Sequence, residues 1–153
     1  MLFRSYFLEH RVGRGMAWAD FDNDGKPDLA VSHCGGPVVL LHNRTRTDNG
    51  WLGLELVGDG KRSNRNAIGA RVEVEYDGGK QVRFVNGGGS YLSASERRVL
   101  IGLGAAEMAR RVTVRWPSGR EQVFAEVPGR HWWRLTEGRD QPEPATARAT
   151  AAP

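Results

Sequence analysis

The sequence predicts an all-β protein. An antiparallel sheet of three or four strands is built round an acidic loop, and a small antiparallel β-sandwich or barrel follows it. Three observations carry this. Twenty glycines and 7 prolines among 153 residues, with 39% hydrophobic content, suit a chain of strands and turns better than a helical bundle. Apolar and charged residues alternate cleanly over 71–76 and again over 111–116, as in strands with one face buried. Helical periodicity is absent except over 105–109, about one turn long.

Residues 1–14 are mixed, include an initial strand, and end in Arg11-Val12-Gly13-Arg14-Gly15. Short apolar strands at 15–19 and 29–32 flank the acidic run, and Cys34-Gly35-Gly36-Pro37 turns into a strand over 38–43. Residues 1–43 form one sheet, too small to bury enough apolar surface by itself. A polar linker at 44–50 leads to the second domain, 51–137. That domain opens with a strand at 51–57 and a basic loop at 58–66. Strands at 71–76 and 81–85 are joined through Asp77-Gly78-Gly79 as a hairpin. After the glycine-rich loop at 86–93 come strands at 98–101, 111–116, 121–124 and 131–136, the middle pair joined by Pro117-Ser118-Gly119. Some seven strands at this spacing indicate a sandwich or barrel. From 138 to 153 the chain is rich in Pro, Ala, Thr and Arg without apolar pattern, and a disordered tail is expected.

The chemistry sits in Asp20-Phe21-Asp22-Asn23-Asp24-Gly25-Lys26-Pro27-Asp28. Carboxylates at loop positions one, three, five and nine aim their oxygens at one centre, and Gly25 at position six permits the sharp turn. Carboxylates roughly 4 Å apart repel by about 4 kcal/mol per pair at an effective dielectric near 20, so the folded loop needs a cation or must protonate. Oxygen donors on a flexible loop favour Ca2+ over zinc or copper. The expected ligands are Asp20, Asp22, Asp24, Asp28 and the Lys26 carbonyl. An EF-hand is excluded: position twelve is Val31 instead of a bidentate Glu, and the flanks are strands.

Two stretches carry a family resemblance. The run from Gly13 to Leu29, GRGMAWADFDNDGKPDL, resembles an FG-GAP (VCBS-type) repeat, the calcium-bearing blade of integrin-like β-propellers. Asn66-Ala67-Ile68-Gly69-Ala70-Arg71-Val72, Gly89-Ser90-Tyr91-Leu92-Ser93, Ile101-Gly102-Leu103-Gly104 and Val114-Arg115-Trp116-Pro117-Ser118-Gly119 are similar to the ASPIC/UnbV domain. That domain commonly follows FG-GAP repeats at the C-terminus of secreted or surface proteins. The resemblance implies that residues 1–43 are one propeller-type blade, that the four aspartates and the Lys26 carbonyl match the blade's calcium ligands, and that the compartment is extracellular or periplasmic. Such proteins usually carry several repeats. A lone blade leaves Trp18, Phe21, Leu29 or Val39 under-covered, so the chain is expected to be a C-terminal piece of a longer protein whose upstream blades are its neighbours.

Charge and composition narrow the partners. The formal charge is +4 and the pI about 9.7, but only three of the 22 basic residues are lysine and no dense basic run or recognition helix appears, which disfavours nucleic acid. The single cysteine, Cys34, precludes an internal disulfide and reads as a small buried hydrophobe. No membrane span and no signal peptide occur, so the protein is either cytosolic or begins upstream of this chain. Gly102-Leu103-Gly104 lacks the third glycine of a dinucleotide fingerprint, and none of the four histidines pairs with an activated nucleophile. The expectation is a non-catalytic calcium-binding β module that engages a protein, surface or matrix partner through a structural metal. The alternative is a carbohydrate-binding accessory module using an exposed Trp132 or Trp133, or the glycine-rich loop, since neighbouring strand residues face opposite sides.

Overall fold

A computed structural model describes residues 6–145. Its elements are all strands: β1 (Gly13–Ala19), β2 (Asp28–His33), β3 (Gly36–Leu41), β4 (Gly50–Val57), β5 (Arg71–Tyr76), β6 (Gly79–Phe84), β7 (Val99–Gly104), β8 (Met108–Arg115), β9 (Glu121–Pro128), β10 (His131–Thr136) and β11 (Glu143–Pro144). The single turn expected over 105–109 is instead the approach to β8. The chain divides into two compact units, Met1–Thr47 with Gly87–Glu96, and Asp48–Asn86 with Arg97–Pro153.

The first unit holds an antiparallel sheet in the order β1-β2-β3. Register places Met16 beside Val31 and Val31 beside Val39, with Trp18, Leu29 and Leu41 in the next row on the same face. Of this set only Leu41 is fully buried. Trp18, Leu29 and Val39 are half-buried, and Phe21 is exposed. The outer edge of β1 is not bare, because the stretch from Ser93 to Glu96 bonds along it. Ser93 Oγ donates to the Met16 carbonyl (2.9 Å), Trp18 N–H to Ser95 Oγ (3.3 Å), and Glu96 N–H to the Trp18 carbonyl (2.9 Å). Edge strands need such cover, and the glycine-rich excursion between β6 and β7 supplies it. Cys34 is exposed in the β2–β3 turn and is not the buried hydrophobe expected.

The second unit is a sandwich of two four-stranded sheets, ordered β11-β10-β4-β7 and β6-β5-β8-β9. Every second residue of the central strands turns inward, as strand geometry requires. Leu52, Leu54 and Leu56 of β4, Ile101 and Leu103 of β7 and Leu135 of β10 belong to one core with Val72, Val74, Val112, Val114, Phe124 and Trp116. Of the two expected forms the unit takes the sandwich, since neither sheet closes into a barrel. One expectation is corrected: the unit is not wholly antiparallel, since β10 runs parallel to β4, with His131 beside Leu52 and Thr136 beside Val57. Their separation in sequence leaves strand direction undetermined by any turn. Gln81 of β6 bridges to the other sheet by donating to the Gly102 carbonyl (2.7 Å).

The chain stays ordered past 138, where a disordered tail was expected. Buried Gln122 accepts from Gly138 N–H (2.8 Å) and donates to the Arg139 carbonyl (3.0 Å), and β11 then pairs with β10. The rest of that stretch, 146–153, and residues 1–5 of the expected initial strand lie outside the described residues.

Candidate metal centre

The acidic loop joins β1 to β2, and its backbone winds round its own carboxylates. Asn23 (φ 61°) and Gly25 (φ 83°) take left-handed conformations, which Asn and Gly tolerate best. This turns successive N–H groups inward. Buried Asp20 accepts from Asp24 N–H (3.0 Å) and Gly25 N–H (2.9 Å), one on each oxygen. Asp24 N–H also lies 3.3 Å from Asp22 Oδ1. Asp24 accepts from Lys26 N–H (2.9 Å) and from the Lys26 ammonium (2.7 Å). That contact, first among several carboxylate effects, raises the proton affinity of Lys26. Asp28, also buried, accepts from Phe21 N–H (3.3 Å) and Asn43 N–H (2.6 Å), so it ties both ends of the hairpin together.

Oxygens of Asp20, Asp22 and Asp24 lie within 4.8 Å of one another. A second group of the same compactness is Asp22, Asp28 and His42. The four predicted aspartates are thus brought together, with Asp22 common to both groups. His42 was not anticipated as a member; its Nε2 stands 2.9 Å from Asp22 Oδ2. The β2–β3 register contained the signal. Leu41 pairs with Leu29, so the residues after Leu41 continue beside Asp28. Glu96 was missed as well: its Oε2 accepts from Asp20 N–H (3.1 Å) across 76 residues of sequence, which no local pattern announces.

At the observed spacing the carboxylates repel by about 3 kcal/mol per pair at an effective dielectric near 20, less where Asp22 meets solvent. The Lys26 ammonium already sits against Asp24 and so marks where positive charge is favoured, and the His42 ring lies against Asp22. Each Asp20 oxygen accepts a backbone N–H, Oδ1 from Asp24 and Oδ2 from Gly25. The cluster offers hard oxygen donors in excess over nitrogen, which suits Ca2+ better than a softer metal.

The tryptophans proposed for sugar stacking are placed otherwise. Trp132 is buried: it lies over Gly53, where an added Cβ would come within 2.2 Å of the ring, and Arg98 stacks on it at 3.8 Å. Trp133 is half-buried against the sandwich core, and its Nε1–H donates to the Pro128 carbonyl (2.8 Å). The glycine-rich loop remains exposed at Gly87, Gly88 and Gly89.

A second polar cluster lies at one end of the sandwich, where three segments meet. Asp59 Oδ1 accepts from the N–H groups of Lys61, Arg62 and Ser63, each at 2.9 Å, and these hold its carboxyl below the usual range. Buried Ser63 Oγ accepts from Ser118 N–H (3.0 Å). Glu137 accepts from Ser118 Oγ (2.5 Å) and Asp59 N–H (3.1 Å). Desolvation pushes the Glu137 carboxyl up, but the Ser118 and Ser63 hydroxyls and the Asp59 N–H outweigh it and hold it low.

Comparison with known proteins assigns the second unit. The family model described as ASPIC and UnbV matches residues 60–142, the stretch that contains Ser63, Ser118 and Glu137 of this cluster and most of the sandwich. The chain is 34% identical over 112 residues to human cartilage acidic protein 1, a match covering 71% of this chain and 16% of the relative. It is 33% identical over the same length to the Xenopus tropicalis protein of that name, covering 71% of this chain and 17% of the relative. The chain therefore spans well under a fifth of the length of the curated relatives it matches. By the family model's cover of more than half its length, this chain belongs to the ASPIC and UnbV family.

Proposed function

We infer that the chain is a non-catalytic β module that binds Ca2+ as a structural ion and presents a surface to a protein or matrix partner. The observation that carries this is the convergence of Asp20, Asp22 and Asp24 within 4.8 Å on a loop whose left-handed Asn23 and Gly25 turn its N–H groups inward. The ion would be held by Asp20, Asp22, Asp24 and Asp28 with the Lys26 carbonyl, and would relieve the repulsion among them. On this reading the β1–β3 sheet is an FG-GAP/VCBS-type blade, and further blades of a longer chain lie beside it. An extracellular or periplasmic setting goes with that reading, and the family membership supports it. Among the described residues no helix is long and apolar enough to cross a membrane.

The test is thermal unfolding with Ca2+ and with a chelator. Calcium that binds only the folded state adds about 2.7 kcal/mol at 100-fold excess over its dissociation constant. Equal midpoints in the two conditions would remove the proposal.

A further inference from the structure

Basic residues are distributed unequally over the sandwich. On the outer face of the β6-β5-β8-β9 sheet they alternate with acids: Arg111 stands beside Glu75, and Arg115 beside Glu121. Arg71 and Lys80 both pair with Glu73. The end of the sandwich that carries the Asp59–Glu137 cluster differs. Lys61, Arg62 and Arg65 lie within five residues of one loop, and Arg120 follows the turn that Ser63 Oγ ties to it. All four are exposed, and none is in an ion pair among the described residues. The segments 58–66, 117–120 and 136–140 carry three acids, Asp59, Glu137 and Asp140. Asp59 and Glu137 are committed to backbone N–H groups and, for Glu137, to the Ser118 hydroxyl.

The backbone beneath the cations is fixed. Asp59 holds three consecutive N–H groups, Gly58 N–H bonds the Arg65 carbonyl (3.1 Å), and Ala67 N–H bonds the Asn64 carbonyl (2.9 Å). A ligand engaging this loop does not have to order it, which lowers the entropic cost of binding. Guanidinium groups match the oxygens of sulfate or phosphate through paired N–H donors. The segments 58–66, 117–120 and 136–140 contain no aromatic residue, so the surface lacks the platforms on which unpaired bases stack. A polyanion with charged substituents and no bases fits better than a nucleic acid.

We propose that Lys61, Arg62, Arg65 and Arg120 form a binding surface for a sulfated polysaccharide. The proposal does not depend on the metal reading, because the four residues and the loops that hold them belong to the other unit.

The test uses the full chain and heparin, with chelator present so that the metal loop plays no part. Parent protein is compared with the variant Lys61→Gln, Arg62→Gln, Arg65→Gln, Arg120→Gln. A control removes the same number of charges elsewhere: Arg83→Gln, Arg97→Gln, Arg111→Gln, Arg115→Gln. The parent should bind heparin and not its fully desulfated form. The first variant should lose about tenfold or more in affinity, the equivalent of about 1.4 kcal/mol. The control should stay within about twofold. Arg62→Gln with Arg65→Gln alone should give a smaller loss in the same direction, and serves if the quadruple variant melts early. Failure of the parent to bind at about 0.15 M salt would overturn the proposal. So would equal losses in variant and control, or displacement of heparin by single-stranded DNA as effectively as by sulfated chains.

Discussion

The two units solve the same problem by opposite means. The sandwich buries a continuous apolar core in which Leu52, Leu54, Val72, Val74, Val112 and Val114 are sealed from solvent. The β1–β3 sheet fully buries one large apolar side chain, Leu41, and its other buried side chains are the carboxylates Asp20 and Asp28. One unit is held by desolvated hydrocarbon, which is indifferent to ions. The other is organised round charge, and its stability should answer to whatever neutralises that charge. What the difference teaches is where to look for an ion dependence: among the described residues, the compact carboxylate groups lie in the first unit.

The largest effect should come from opening the apolar core. Leu54→Ala is expected to destabilise the sandwich by about 2–5 kcal/mol, with the same loss in calcium and in chelator. Calorimetric unfolding in both conditions checks this, and a calcium-dependent loss would blur the distinction between the units. Removing calcium comes next, at about 2.7 kcal/mol under 100-fold excess, confined to the β1–β3 sheet. Hydrogen exchange should register it as lost protection in β1 and β2 with the amides of β5 and β8 unchanged.

Gly53→Ala should cost about 1–3 kcal/mol, because the new methyl would meet the Trp132 ring on the neighbouring strand. Near-ultraviolet circular dichroism would follow the displaced indole, and an unperturbed signal with full stability would contradict the packing. A smaller and pH-dependent effect belongs to Glu137. Folding holds the Asp59 and Glu137 carboxyls below their ordinary values, so the unfolded chain binds more protons on acidification. The stability they contribute is fully present above the ordinary carboxylate range, near pH 4.5, and is lost as the pH falls through their lowered values. Glu137→Gln should flatten that acid limb in thermal melts. The smallest expected change is His42→Ala, within about 1 kcal/mol in the absence of metal, since its contact with Asp22 is largely exposed.

The sequence made different parts of this legible for physical reasons. The hairpin of β5 and β6 was readable because burial on one face imposes alternation, and Asp77-Gly78 sets the turn. The clustering of Asp20, Asp22 and Asp24 was readable because their spacing along the chain is local. What escaped is nonlocal. The parallel pairing of β4 with β10 joins strands with no turn between them. Glu96 reaches Asp20 only because the chain leaves the sandwich after β6 to line the edge of β1. Neighbouring tryptophans were correctly expected to differ in environment, but alternation alone does not say that Gly53 opens a seat for Trp132 on the outer side of the sheet. Cys34 was misjudged because a cysteine in a turn has no packing partner to hide it.

The central claim, that a divalent ion completes the first unit, is tested most directly by titrating calcium into the metal-stripped protein in a calorimeter. The account predicts a saturable heat corresponding to one site, abolished by Asp22→Ala, the aspartate shared by both carboxylate groups. An absence of heat in the parent, or an unchanged isotherm in Asp22→Ala, would contradict it.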